Sequence, residues 1–189
     1  MWYTCTSMCQ NLKAEDSAIL HQLIFKLSKE GWRLRTPARG VFDDLSYQSA
    51  IVSSGVASVF LPEPYYRGYN SDTSKNLHVF SNFEHEEQAR ALKQKKLFLK
   101  NTNRNASQSQ ILSSLIMSII GFKSESKSKF ILTYNPKEIS EALKNNLDFN
   151  KDNEMLMLAD KNRVPVFNLA YPPHKERILN FLYLEKDTL

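Results

Sequence analysis

The chain has 189 residues, 42% of them hydrophobic and 11% aromatic, which supports one globular domain with a core and excludes an intrinsically disordered chain. Its formal net charge is +5. No apolar run reaches the length of a membrane span, and the longest, Ile111 to Phe122, is interrupted by Ser113, Ser114 and Ser118.

The opening MWYTCTSMCQ lacks a basic segment followed by an apolar one, so it does not read as a signal peptide. Trp2 to Thr6 reads as a first strand. Glu15 to Lys29 carries Ile19, Leu20, Leu23, Ile24 and Leu27 at helical spacing, and Gly31 follows as a stop signal. Trp32 to Arg35 is a second strand. A helix capped by Asp43 or Asp44 runs to about Ser53, and Ala57 to Leu61 is a third, apolar strand. Strand, helix, strand, helix, strand predicts parallel pairing through crossover helices. The segment 62–83, rich in Tyr, Asn, Ser and Pro, reads as a long surface loop. Helices are expected over Glu84 to Lys95 and Ser107 to Ile120, then a fourth strand over Phe130 to Thr133. A polar connection with a short helix at Ile139 to Leu143 leads to a helix over Asn153 to Lys161. A fifth strand at Val164 to Asn168 and a closing helix at His174 to Tyr183 complete the chain. Ile24, Leu34, Phe60, Ile131, Val166 and Phe167 are the expected core markers.

Two chemical features stand out. Cys5 and Cys9 are the only cysteines, and His21, His78, His85 and His174 have no ligand-like spacing. Reduced thiols in a cytoplasm are therefore expected, with no metal and no cofactor. From Gln88 to Ser124 there is no acidic residue, while Arg90, Lys93, Lys95, Lys96, Lys100, Arg104 and Lys123 all fall there. Such a one-sign stretch attracts phosphates, nucleic acid or an acidic protein, although a solvated helix face reads the same way.

Several pieces then occur in a telling order: GWRLR before a turn, ARG followed by DDLSYQSA, VFLPEPYYRGYN, the dyad Arg104–Asn105 with Gln108 three residues on, SKFILTYNP, and VPVFNLA. Over nearly the whole chain this resembles the SLOG superfamily, in particular the phage and bacterial relatives of DNA-processing protein A and the lysine-decarboxylase-like proteins. The resemblance implies an α/β, Rossmann-like three-layer sandwich with a mainly parallel sheet of five or more strands, as a single domain over 1–189. It also implies ligand phosphates held against glycine-rich turns at the carboxyl ends of the strands, where backbone N–H groups close on an anion.

Those turns depart from the family pattern. Cys5, Thr6, Ser7, Met8 and Cys9 stand where a Gly-x-Gly-Ser-Arg type turn is expected, and Thr36 and Pro37 replace a Gly-Gly pair. Asn150, Lys151, Asp152, Asn153 and Glu154 replace the last glycine turn, and the chain has five glycines in all. A Cβ blocks backbone approach and a carboxylate repels phosphate, so the ancestral nucleotide site is expected to be altered. The candidate ligand-binding cluster comprises Arg39, Gly40 and Asp44 after the second strand and Tyr65, Tyr66, Arg67 and Asn70 after the third. Arg104, Asn105 and Gln108 complete it at a helix start. Arg104 and Asn105 read equally as a capping pair, and Asp43 and Asp44 as an N-cap.

The implied function is a non-catalytic binding protein using the carboxyl-edge cleft for a nucleotide-derived ligand; a phage-encoded version would sequester a host signalling nucleotide in the host cytoplasm. Two alternatives stay open. One is nucleic-acid binding in the manner of DNA-processing protein A through Lys93, Lys95, Lys96 and Lys100. The other is a protein-interaction scaffold that keeps only the fold. An enzyme cleaving phosphoribosyl or N-glycosidic bonds is the weaker class. The decarboxylase-like branch places its Arg and Glu within Pro-Gly-Gly-x-Gly-Thr, and Glu154 here lacks that frame. The expected partners are a nucleotide-like small molecule or nucleic acid, not a membrane, with homo-oligomerisation left open.

Overall fold

Six strands, all parallel, form one sheet in a computed structural model that describes residues 1–70, 75–98, 106–136 and 151–183. The strands are β1 (Trp2–Cys5), β2 (Arg33–Thr36), β3 (Val56–Leu61), β4 (Leu77–Val79), β5 (Ile131–Thr133) and β6 (Val166–Asn168). Their order is β4-β3-β2-β1-β5-β6, so β1 is central and the chain reverses direction across the sheet between β1 and β5. The described helices are α1 (Ala14–Lys29), α2 (Val41–Val52), α3 (His85–Phe98), α4 (Ala106–Ile120), α5 (Lys151–Lys161) and α6 (Pro172–Tyr183). The fold is therefore α/β and Rossmann-like, as a three-layer sandwich. The short helix expected at Ile139 to Leu143 lies outside the described residues.

The pleat divides each strand between two cores. Tyr3, Cys5, Leu34 and Leu132 pack beneath α1, α2 and α6, with Leu20, Ile24 and Ile178 above them. Phe60 and Ile131 face the opposite layer, where Ala91 of α3, Leu115 and Ile116 of α4, and Leu158 of α5 cover them. Ile24, Leu34, Phe60 and Ile131 are buried, and Val166 and Phe167 pack against the cores half-buried.

Burial on both faces has a cost at polar positions, and hydrogen bonds offset part of it. Thr4 donates its hydroxyl to Ser118 O at 2.6 Å. Two of the three serines that interrupt the apolar run of α4 bond back along their own helix, Ser113 to Ser109 O and Ser118 to Leu115 O. Arg35, alternating with Leu34, is carried fully inside. Its guanidinium donates to Glu125 at 2.7 Å and to Ser126 O at 3.0 Å, 4.2 Å from the Trp2 ring centroid.

One sequence expectation needs correction here. The segment 62–83 is not loop throughout, because Leu77–Val79 forms β4 and pairs with Val59 to Leu61. Three residues of β-prone sequence are too short to reveal a period-2 pattern, and tertiary pairing with the apolar β3 supplies what local propensity lacks.

Candidate functional site

In an open parallel sheet the carboxyl ends of the strands flanking the reversal form the natural ligand crevice. Here that crevice lies between the ends of β1 and β5, and the protein fills it with its own groups. Ser7, just past β1, donates its hydroxyl to Tyr134 O at 2.6 Å. Tyr134, just past β5, stacks on Phe42 at 6.3 Å and donates its phenol to Asp16 in the first turn of α1 at 2.9 Å. Lys175 of α6 donates to the other Asp16 oxygen at 2.7 Å. The amino end of α1, which would favour a phosphate, thus holds a carboxylate and its cation.

The amino end of α2 is closed in the same way. Gly40 is its N-cap, and a Cβ there would stand 2.6 Å from Ser7 O and 2.8 Å from Cys9 O. The first helical N–H, of Val41, donates to Cys9 O at 3.3 Å. Gly40 therefore serves close approach of the chain to itself. Asp43, the third helical residue, does not cap α2 as expected; nor does Asp44, and no side chain does. A carboxylate at the cap would face solvent, whereas Asp43 points inward to accept two backbone donors, Ser7 N at 2.7 Å and Arg39 N at 2.8 Å. These are the kind of N–H groups a bound phosphate would use. Burial pushes the Asp43 carboxyl up to about 7, against the pull of the Arg39 and Ser7 N–H groups and the Thr36 hydroxyl.

Arg39, Asp44 and the loop after β3 form a rim beside this closed centre. Arg39 is buried, with its Nε against Met8 Sδ at 3.2 Å. Asp44 receives Arg67 at 2.5 Å and the Tyr69 phenol at 3.0 Å, so two candidate residues meet each other across the edge. Burial raises the Tyr69 phenol, and the adjacent Asp44 charge adds to the shift. Tyr66 packs on Ala38, Val59, Leu61 and Val79. Burial raises its phenol too, while Arg67 and Arg39 pull the other way, so both guanidinium groups lie within electrostatic reach of it. Tyr65 is 58% exposed, and Asn70 is exposed beside it. Gln108 lies exposed in the first turn of α4, across the sheet from α2. Arg104, Asn105 and Lys100 fall outside the described residues.

Backbone conformation marks the same rim. Left-handed residues at Gly31, Ser54, Gly121 and Arg163 follow the ends of α1, α2, α4 and α5, where such residues terminate helices. The others, Ala38, Tyr65, Arg67 and Gly68, all lie in the two loops that leave the carboxyl ends of β2 and β3. Three of these four carry a Cβ, which costs energy in that region.

The basic stretch is less one-sided in space than in sequence. Glu86 and Glu87, just before it, pair with Lys123 and Arg90, and Lys95 bonds Ser109. Lys93 is exposed. Sequence reasoning missed Ser7, Asp16, Tyr134 and Lys175 as the residues that close the crevice; their separations of 118 to 159 positions leave no local signal. Among the described residues no group of three or more His, Cys, Asp and Glu could hold a metal ion, and no helix is long and apolar enough to cross a membrane. The chain matches no protein-family model and no curated protein.

Proposed function

We propose that the chain is a non-catalytic binding protein whose carboxyl-edge rim takes an anionic, nucleotide-derived ligand through Arg39, Tyr65, Tyr66 and Arg67. The carrying observation is the clustering of left-handed, strained backbone in the two loops that present these residues. Strain of this kind persists where the surroundings hold a side chain in a particular place. A guanidinium offers a paired hydrogen-bonding edge to a phosphate oxygen pair, and an exposed phenol ring offers a stacking surface to a base. The rim replaces the glycine turns as the anion-binding element, since Asp43, Tyr134 and Cys9 O fill those turns.

Engagement would exchange Arg67's bond to Asp44 for one to the ligand. That pair is partly solvent-exposed, with side-chain exposures of 29% and 26%, and pairs near the surface are worth about 0–1 kcal/mol. The exchange is therefore cheap. The two carboxylates at the start of α2 are already engaged, Asp43 by backbone N–H groups and Asp44 by Arg67 and Tyr69, which favours binding over acid–base chemistry there.

A thermal-shift panel of nucleotides, ADP-ribose derivatives and cyclic nucleotides tests the reading. A ligand at a hundred times its Kd stabilises the folded state by about 2.7 kcal/mol. The expected result is a raised melting temperature with at least one phosphate-bearing compound, lost in Arg67→Ala. No shift across the panel, or one indifferent to Arg67→Ala, would overturn the proposal.

A further inference from the structure

The opposite, amino-terminal end of the sheet carries a cavity, of about 340 Å³, between α1 and α6. Trp32 and Phe130, which precede β2 and β5, form its floor with Phe167, and Leu27, Ile178 and Phe181 wall it. Eight of its ten lining residues are apolar and four are aromatic. The floor cannot turn inward to fill it, because Trp32, Phe130 and Tyr3 lock one another by ring contacts at 5.3–6.5 Å. The walls cannot close either. Lys175 ties α6 to Glu15 and Asp16 at one end of the helix pair, and Lys26 donates to Phe181 O at 2.7 Å at the other. The cavity is thus framed in advance by ring contacts, ion pairs and a hydrogen bond.

A preformed, mainly apolar space with a few polar groups at its mouth is the usual form of a small-molecule site. Apolar cavities of about 150 Å³ stay dry and admit benzene, so this one suits a molecule of about two fused or linked rings. Its two charged lining residues are Glu30 and Arg177. Lys26 adds a second cation 4.5 Å above the Phe181 ring. Among the described residues Arg177 has no ion-pair partner. Arg177 is therefore the lining cation left for a ligand's anionic group. We propose that this cavity binds a two-ring apolar molecule carrying one anionic group, an aromatic carboxylate or sulfonate, with the ring system inside and the anion at Arg177. The site is separate from the carboxyl-edge rim and does not depend on it.

Fluorescence titration of the full chain with 5-dimethylaminonaphthalene-1-sulfonate, a two-ring sulfonate, tests this, with 2-naphthoate and uncharged naphthalene as competitors. The expected result is saturable binding of one probe per chain, displaced by 2-naphthoate. Ile178→Phe, which fills the cavity, should weaken the probe about tenfold or more. Arg177→Gln, an exposed change that leaves folding intact, should weaken probe and naphthoate about threefold to fivefold and leave naphthalene competition unchanged. If Ile178→Phe fails to fold, the Arg177→Gln contrast alone decides. Absence of saturable binding, several equivalent probes per chain, or equal affinity in Arg177→Gln would overturn the proposal.

Discussion

The backbone N–H of Ser7 donates to the Asp43 carboxylate at 2.7 Å, joining the turn after β1 to the first turn of α2 across thirty-six positions. The second Asp43 oxygen takes Arg39 N at 2.8 Å, so one buried carboxylate organises both loops of the carboxyl edge. Its two oxygens take backbone N–H groups at the strand ends, where open α/β sheets commonly receive a ligand.

This carboxylate gives stability a pH dependence of defined sign. Burial raises Asp43 from 3.8 to about 7 in the folded state. Between those values the folded chain binds more protons than the unfolded one, so this group's contribution to stability falls as pH rises through that window. Burial lowers His78 and His174 instead, and their contributions rise with pH near their ordinary value. The difference between wild type and Asp43→Asn isolates the carboxylate. Urea midpoints at pH 5, 6 and 7 should decline less steeply in Asp43→Asn than in wild type; parallel profiles would place Asp43's titration outside this range.

Gly40 is required by contact, not by conformation. Its φ of −161° is extended backbone that any residue adopts. A Cβ would nonetheless press on Ser7 O and Cys9 O, at 2.6 and 2.8 Å, and both are backbone atoms that cannot swing away. Gly40→Ala should destabilise by about 1–3 kcal/mol, the range for overpacking. Equilibrium unfolding in urea reads this directly, and an unchanged midpoint would mean that the β1 turn yields freely.

The buried Arg35 predicts an asymmetry between removing one partner and removing both. Glu125→Ala strands a guanidinium that is fully enclosed, leaving it Ser126 O as an acceptor, and should cost about 1.5–3 kcal/mol. Arg35→Met combined with Glu125→Gln removes the charge itself and fills similar space. Such replacements of buried pairs are often near neutral. Unfolding free energies should therefore place the double variant above Glu125→Ala. The reverse order would show that Trp2 stacking on the guanidinium, at 4.2 Å, carries more of the stability than the ion pair.

Legibility in the sequence followed the range of the interactions. Ile19 to Leu27 and Ala57 to Leu61 announce α1 and β3 because helical spacing and apolar runs are local. The residues of the rim were legible as types, and Asp44 and Arg67 do meet. Their meeting as mutual partners was not legible, since the pairing depends on the left-handed turn at Tyr65 and Arg67, which no local rule assigns to Tyr or Arg. The absence of glycines from the strand-end turns is readable directly in the sequence. What fills those turns, Asp43 over Ser7 and Tyr134 over Asp16, is not, because each contact joins segments far apart in the chain.

Salt dependence separates small-ligand from nucleic-acid binding. The acid-free stretch suggested a phosphate-tracking surface, but Arg90 and Lys123 pair with Glu87 and Glu86, which reduces its field. Lys93 remains exposed on α3 and Lys95 bonds Ser109. If nucleic acid were the partner, each phosphate contact would release a counterion, and affinity would fall with a log–log salt slope of about −0.9 per duplex contact or about −0.7 on single strands. Lys93→Gln with Lys95→Gln and Lys96→Gln would then flatten that slope for every sequence. With a small anionic ligand on the rim, the same triple change should alter affinity by less than about twofold, since exposed lysines supply weak, screened attraction. Arg67→Ala should instead cost about 1.5–3 kcal/mol of ligand affinity, the range for a charge-assisted hydrogen bond. Fluorescence anisotropy with labelled oligonucleotides from 50 to 300 mM salt, on wild type and both variants, decides between them. The rim reading expects shallow, weak oligonucleotide binding that the lysine changes barely affect. Tight binding with a steep slope, lost in the triple variant and retained in Arg67→Ala, would move the functional surface from the rim to α3.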